Sequence, residues 1–480
     1  MIGGLPGGQY KPLSPEGIKD IHNTSLRLLE NVGMEVNCKE ALDIFKEKGA
    51  EVNYDKHIVK IPCKMVEEAI DTAPSKVILY GREEKHNLVL EDKNVYFGTG
   101  GTVLNVLDWK NNQKRPSTLE DVAQFAKLVD ALDNVHFYLL PLYPTELSQE
   151  AVDVNRFYAG ISNTSKHVMG GIYDKEGLLE TIKMAEEIAG GAEQLRKRPF
   201  ISFITCVMSP LKLENTYTEF LIEIARKGLP VACPSEVLTG ATGPVTLAGD
   251  LVLINAETLA CATLTQLVNP GTPVIYASAA SIMDMQKGIY LGAGAEPGLI
   301  NAGVAQLAQN VKLPYYATAG MSDSKIPDAQ AGYESAISAL AVALSGANFI
   351  HDAAGNLEFC MTISFEKAVI DNDILGMVMR MVQGIKVDKE TLAEDLIAKV
   401  GPAGNFLAEM HTVQNMRKEL YFPTLADRQH REEWKALGSK DTRTRAREKV
   451  EEILTNHKPL PIDPELCQKL KSKIKGLIKI

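Results

Sequence analysis

The chain has 480 residues, with 51 Lys+Arg against 61 Asp+Glu for a net charge of −10, and a mean hydropathy of −0.07. An acidic chain lacks the clustered positive charge that phosphate contacts need, which speaks against general nucleic-acid binding. No apolar run is expected to reach the ~20 residues a bilayer demands, and MIGGLPGGQY has neither part of a secretory signal, so a soluble, cytoplasmic protein without nucleic-acid or membrane partners is expected.

After the glycine-rich start, Ser14 and Pro15 suit the N-cap and first turn of an amphipathic helix reaching about Val32, with Ile18, Ile21, Leu26 and Leu29 on one stripe. Short strand patterns then mix with polar-faced helices such as CKMVEEAIDTAP, and residues 1–94 read as an N-terminal α+β section. From Val95 short apolar or aromatic runs recur, each followed by Gly, Ser or Pro and then a helical pattern. The runs are 95–100, 135–144, 167–174, 199–210, 230–238, 272–281, 313–320 and 347–355. Helical patterns follow at 118–131, 147–162, 176–190, 213–227, 244–268, 298–311, 328–345 and 366–384. Alternating strands and helices imply βαβ units and a parallel sheet. Eight such units without a dinucleotide fingerprint predict an α/β fold, a (β/α)8 TIM barrel over 95–386. Residues 387–480 are charged and strand-poor and read as a helical C-terminal extension, with the basic run 443–449 as a solvated face. The terminal additions make a homo-oligomer the expected assembly.

A barrel of this kind places its active site on the loops after the strands. Schiff-base chemistry wants a desolvated lysine at a strand end, and only Lys325 comes near one, with a surface role as its plainer reading. Metal hydrolysis wants clustered histidines, but the strand ends supply His351 alone. The 7 cysteines are scattered without a C-x-x-C pair. Cys206, Cys233 and Cys360 could approach one another, but Cys206 and Cys233 lie within strand runs, so no bound metal is expected. Gly292-Ala293-Gly294 before a helix is a loose phosphate pattern or simply a turn. What remains is a mouth rich in aromatics and hydroxyls. Tyr96, Phe97, Tyr143, Tyr173, Phe359 and Tyr333 could offer π-faces to a quaternary ammonium, each with core packing as the alternative reading. His351 and Gln330 could offer hydrogen bonds.

The segments YFGTGGTVLNVLD (96–108), MSDSKIPDAQAGYES (321–335) and ANFIHDAAGNLE (347–358), in this order, resemble the trimethylamine methyltransferase superfamily over essentially the whole chain. Founding members of that superfamily carry pyrrolysine at the mouth. This sequence holds only the twenty standard residues, so it resembles the non-pyrrolysine branch. The resemblance implies demethylation of a quaternary amine such as glycine betaine, with the methyl group passed to Co(I) of a separate corrinoid protein. It implies His351 as the carboxylate contact, a cage of Tyr96, Phe97 and Phe359, and Asp323 and Gln330 in substrate binding. Glu358 is either a structural cap or a site carboxylate. No residue is assigned to bond-making, because the task is to aim a methyl group at cobalt. The chain has no D-x-H-x-x-G, so no corrinoid is expected to be bound permanently; a partner protein would carry it. The alternatives are a zinc-dependent corrinoid methyltransferase for methanol or methyl thiols, and a betaine-binding barrel without turnover.

Overall fold

The computed structural model describes residues 3–478. At its centre are eight short strands: β1 (Asn94–Phe97), β2 (Phe137–Leu139), β3 (His167–Gly171), β4 (Ile201–Ile204), β5 (Val231–Ala232), β6 (Val274–Ala277), β7 (Tyr315–Thr318) and β8 (Phe349–His351). From β2 to β8 each pairs in parallel with the next, and β8 pairs with β1. Leu5–Pro6 adds an antiparallel strand to β1, completing a nine-stranded sheet. The sheet curls until a parallel bridge joins Gly98 to Phe137, with the His136 N–H donating to the Phe97 carbonyl at 2.6 Å. A Cβ at Gly98 would lie 2.1 Å from the Phe137 ring, so this approach requires glycine.

A helix follows each strand close to where the apolar periodicity predicts it. These are Leu119–Asp130, Gln149–Asn163, Lys175–Ala189, Asn215–Lys227, Leu247–Val268, Ala295–Asn310, Ala329–Ser345 and Phe365–Gln383. Their starts are chemically marked. Thr118 and Asp121 form a reciprocal capping box, and Asp174, Asp328 and Ser364 each accept a first-turn N–H. The architecture is mixed α/β.

Strand alternation separates two apolar clusters. Phe97, Tyr138, Val168, Phe203, Tyr276 and Tyr315 face the helices, whereas Tyr96, Phe137, Met169, Ile275, Tyr316 and Phe349 face the inside of the curl. At the strand starts the inside is stoppered by the hairpin Val77–Leu79/Leu88–Leu90, whose apolar residues join the inner cluster.

The expectation that no apolar run approaches membrane length fails for Leu247–Val268. This helix is long and apolar enough by composition, yet 83% of its apolar window is buried. It is apolar all round because neighbours surround it, including Pro15–Asn31 and Cys63–Thr72 of the front section. The front section also lends strand Met34–Val36 to Lys212–Leu213, in the loop after β4. Beyond residue 386, helices Glu394–Val400, Met410–Glu419 and Arg431–Ala436 bury no residue. The basic run, expected as a solvated face, is partly put to use inside. Arg443 and Arg447 of helix Thr442–Asn456 reach the fully buried Glu366 at 3.3 and 2.9 Å.

Candidate active site

A cavity of about 520 Å³ occupies the C-terminal end of the curled sheet. Gly101, Tyr173, Cys206, Glu236, Tyr290, His351, Asp352 and Cys360 come to it from loops after six strands or from β8 itself, and Tyr316 of β7 also lines it. Two hairpins build the rim. Ser281–Asp284/Ile289–Leu291 pairs with Leu238–Thr239 of the preceding loop, and Asn356–Leu357/Thr362–Ser364 pairs with Asn105–Leu107 after β1.

His351 ends β8 with its ring stacked on Tyr316, centroids 4.2 Å apart at 25°. Its Nε2 shares a short hydrogen bond with the Thr318 hydroxyl. Nδ1 lies 3.0 Å from Asp352 Oδ2 but outside hydrogen-bond geometry, so this buried nitrogen has a carboxylate beside it and no hydrogen-bond partner among the described residues. Buried polar atoms are nearly always paired, so an open Nδ1 beside a cavity is a natural ligand contact. Gly100 keeps that space clear, since a Cβ there would sit 2.6 Å from Nδ1. Next along, Glu358, Phe359 and Cys360 all have left-handed φ values of 56°, 59° and 59°. Such residues cost about 1–2 kcal/mol each, and the turn brings Cys360 onto the cavity wall.

On the β4–β5 side, Cys206 Sγ donates to Glu236 Oε1 at 3.3 Å. Next to Glu236, the Ser235 hydroxyl donates to the buried Glu257 at 2.5 Å, and Glu257 also accepts from Ser209 Oγ and Leu211 N, both at 2.8 Å. Desolvation raises the pKa of Glu236 and Glu257 above the ordinary carboxyl range. It pushes the thiols of Cys206 and Cys360 well up, with nearby carboxylates adding to the effect. Burial likewise holds the Tyr290 and Tyr316 phenols protonated. Neither cysteine is therefore a thiolate at neutral pH. Among the described residues no three His, Cys, Asp or Glu side chains are arranged to hold a metal ion.

Of the site residues predicted from sequence, the structure brings Tyr173 and His351 to this cavity. Tyr96 lies at the opposite end, where its hydroxyl accepts from the Val89 N–H of the stopper hairpin at 3.2 Å. Phe97 follows it in the alternation and is fully buried under the helices. Tyr143 meets Tyr173 edge-on at 5.1 Å behind the cavity wall, and the buried Arg156 guanidinium lies over both rings, at 6.0 and 5.4 Å. The Phe359 ring is likewise covered, by Lys325 Nζ at 4.0 Å, and Tyr333 is exposed on the surface. Asp323 is a tether, not a lining residue. Its carboxylate accepts the Gly292 and Ala293 N–H groups at 3.1 and 3.2 Å, fastening the β6 hairpin, and desolvation raises its pKa to about 6. Gln330 donates to Glu334 at 2.9 Å, and Glu358 pairs with Lys114 at 2.8 Å.

Tyr217, Tyr290 and Tyr316, with Glu236 and the two cysteines, are the lining residues that sequence reasoning missed or left unassigned. For Tyr316 the signal was present, since two adjacent tyrosines in β7 must point to opposite faces. Tyr290 sits in a hairpin whose turn is marked by Asp284 and Gly288 but whose pairing with Leu238–Thr239 no local pattern specifies.

The sequence profile of the trimethylamine methyltransferase (MTTB) family matches residues 6–476. Trimethylamine methyltransferase MttB of Desulfitobacterium hafniense is 40% identical over 459 residues, covering 96% of this chain and 92% of that protein. A glycine betaine methyltransferase of the same species is 34% identical over 469 residues, covering 97% of each. The solved structure of Methanosarcina barkeri monomethylamine methyltransferase (MtmB) aligns over 94% of this chain and 96% of that one, at 11% identity and a TM-score of 0.47. The chain belongs to the trimethylamine methyltransferase family, as a member built only from the twenty standard residues, and is a methyltransferase.

Proposed function

We propose that this protein removes a methyl group from a small quaternary amine of the betaine type and passes it to Co(I) of a corrinoid carried by a separate cytoplasmic protein, releasing the tertiary amine. The observation that carries this reading is a tyrosine-walled cavity whose thiols and phenols burial keeps protonated, leaving no thiolate or phenolate to take the methyl group. The corrinoid supplies the nucleophile when its carrier docks over the mouth. The chain's own residues then have to hold, aim and dry the substrate. A betaine carboxylate would meet the open Nδ1 of His351, and the methylated nitrogen would lie toward Tyr217 and Tyr290. The quaternary nitrogen already carries the positive charge of its leaving group, so bond breaking needs no general acid. A modest cage suits this chemistry, because the substrate's charge fades in the transition state and too tight a hold would stabilise the ground state.

We read the curled sheet as a closed (β/α)8 barrel over 95–386, with 1–94 packed on it and 387–480 as an extension. The Gly98–Phe137 bridge supports closure. Purified protein mixed with cob(I)alamin and a panel of quaternary amines tests the function through loss of the Co(I) absorbance. Methyl transfer from one betaine and none from trimethylamine is the expected result. Tight betaine binding without transfer to free or protein-bound corrinoid would overturn it in favour of a binding protein. Zinc-dependent transfer from methanol would overturn it in favour of the other enzyme class.

A further inference from the structure

We infer that Glu236 is the counter-charge of the substrate's quaternary nitrogen, so that the cavity sorts ligands by the charges they carry. The inference rests on the quaternary-amine reading above and assigns a specificity residue within it. Glu236 is surrounded by protein yet exposed to the cavity it lines. Its carboxylate accepts one weak hydrogen bond, from the Cys206 thiol, and forms no ion pair with a described lysine or arginine. No lysine or arginine lines the cavity. The other carboxylates nearby are engaged. Asp352 accepts from Asn356 Nδ2 at 3.1 Å and lies against His351, and Glu257 accepts from two serines and a backbone N–H.

A carboxylate partly desolvated by the surrounding walls without a cation is costly, and that desolvation already shifts Glu236 toward its neutral form. A quaternary ammonium supplies the missing charge without demanding a hydrogen bond, since it has no N–H. The position is rigid, because neighbouring Ser235 is fixed by Glu257 of helix Leu247–Val268. His351 lines the same cavity beside Asp352, and its Nδ1 has no hydrogen-bond partner among the described residues. A carboxylate and an imidazole lining one space match the two charged ends of a zwitterion.

Calorimetric binding of three probes tests this. Glycine betaine has both charges, tetramethylammonium has only the cation, and 3,3-dimethylbutanoate is the betaine's carbon isostere with only the carboxylate. For the near-isosteric Glu236→Gln, the first two should weaken by about 30-fold or more while 3,3-dimethylbutanoate tightens. Glu236→Asp, which keeps the charge, should retain the wild-type order and serves as the second variant if the first folds poorly. His351→Gln should weaken glycine betaine and 3,3-dimethylbutanoate but leave tetramethylammonium unchanged. If wild type binds the betaine and Glu236→Gln alters all three probes alike, or none, Glu236 is not the counter-charge and the quaternary-amine reading survives. If wild type binds neither nitrogen probe, that reading fails and the inference with it.

Discussion

At the strand starts Tyr96 stands edge-on to His136, ring centroids 5.7 Å apart; at the strand ends Tyr316 lies flat on His351 at 4.2 Å. The same pair of residue types sits at both poles of one sheet, but His351 and Tyr316 line a cavity whereas Tyr96 and His136 are packed against other segments of the chain. At the starts the space is taken. The arm around Gly3 and Gly4 abuts both rings so closely that a Cβ at Gly3 would lie 2.6 Å from His136, and the stopper hairpin hydrogen-bonds the Tyr96 hydroxyl. His136 spends its Nδ1 on the Phe97 N–H at 2.9 Å, and burial lowers its pKa to about 3, fixing it as neutral. At the ends, glycines and a left-handed turn hold the chain back, and His351 lines the space that remains. A site is therefore defined here by what the flanking chain leaves unfilled, more than by which side chains are supplied.

Substitutions at the two poles should separate stability from binding. The largest effect is expected for Tyr96→Ala, which empties a filled pole and should cost about 3–5 kcal/mol in denaturant unfolding, with KM for the amine unchanged. A stable Tyr96→Ala protein with weakened substrate binding would reverse the roles of the poles. His351→Ala should do the opposite, raising KM about 10- to 100-fold through loss of a hydrogen bond to a charged group, with a smaller loss of stability than Tyr96→Ala. Acid sharpens the contrast. His136 is neutral in the fold with a pKa lowered to about 3, whereas an ordinary histidine titrates near 6.5. Its contribution is therefore fully present above pH 6.5 and is lost as pH falls toward 3, by about 2 kcal/mol at pH 5. The stability gap between wild type and His136→Gln should narrow by that amount between pH 7 and pH 5. The smallest effect is expected for Phe359→Leu. It removes the Lys325 contact, worth about 0.5–1 kcal/mol at an exposed site, and should leave KM alone, because the ring's accessible face is already occupied.

Much of the scaffold was legible because periodicity and caps are local properties. Thr118 before LEDV, Asp174 before KEGL and Ser364 before FEK mark helix starts that the structure keeps. The rim hairpins were not legible. Their pairings, such as Leu238 with Ser281, join loops after different strands, and no local pattern specifies that. Among site residues, His351 was readable as the polar end of an apolar run. The aromatics were not, because a ring's use depends on which face a neighbour already covers. Tyr143 and Phe359 look like cage residues until Arg156 and Lys325 are seen above them. Tyr96 differs for a simpler reason: third in a four-residue strand, it points inside the curl among the residues of the stopper hairpin, short of the loops that follow the strand.

Glu257 sits in the buried helix Leu247–Val268 and gathers Ser209 and Leu211 from the loop after β4 and Ser235 from the loop after β5. The two loops thus share one anchor, and a change in either is transmitted to the other through a carboxyl that touches neither the solvent nor the cavity lining. Single substitutions at Ser209 and Ser235 should not add, because the second acts on an anchor the first has already loosened. A lineage of this protein moving toward a different amine would have to revise both loops in step, so its accessible histories run through paired substitutions and rarely through either one alone.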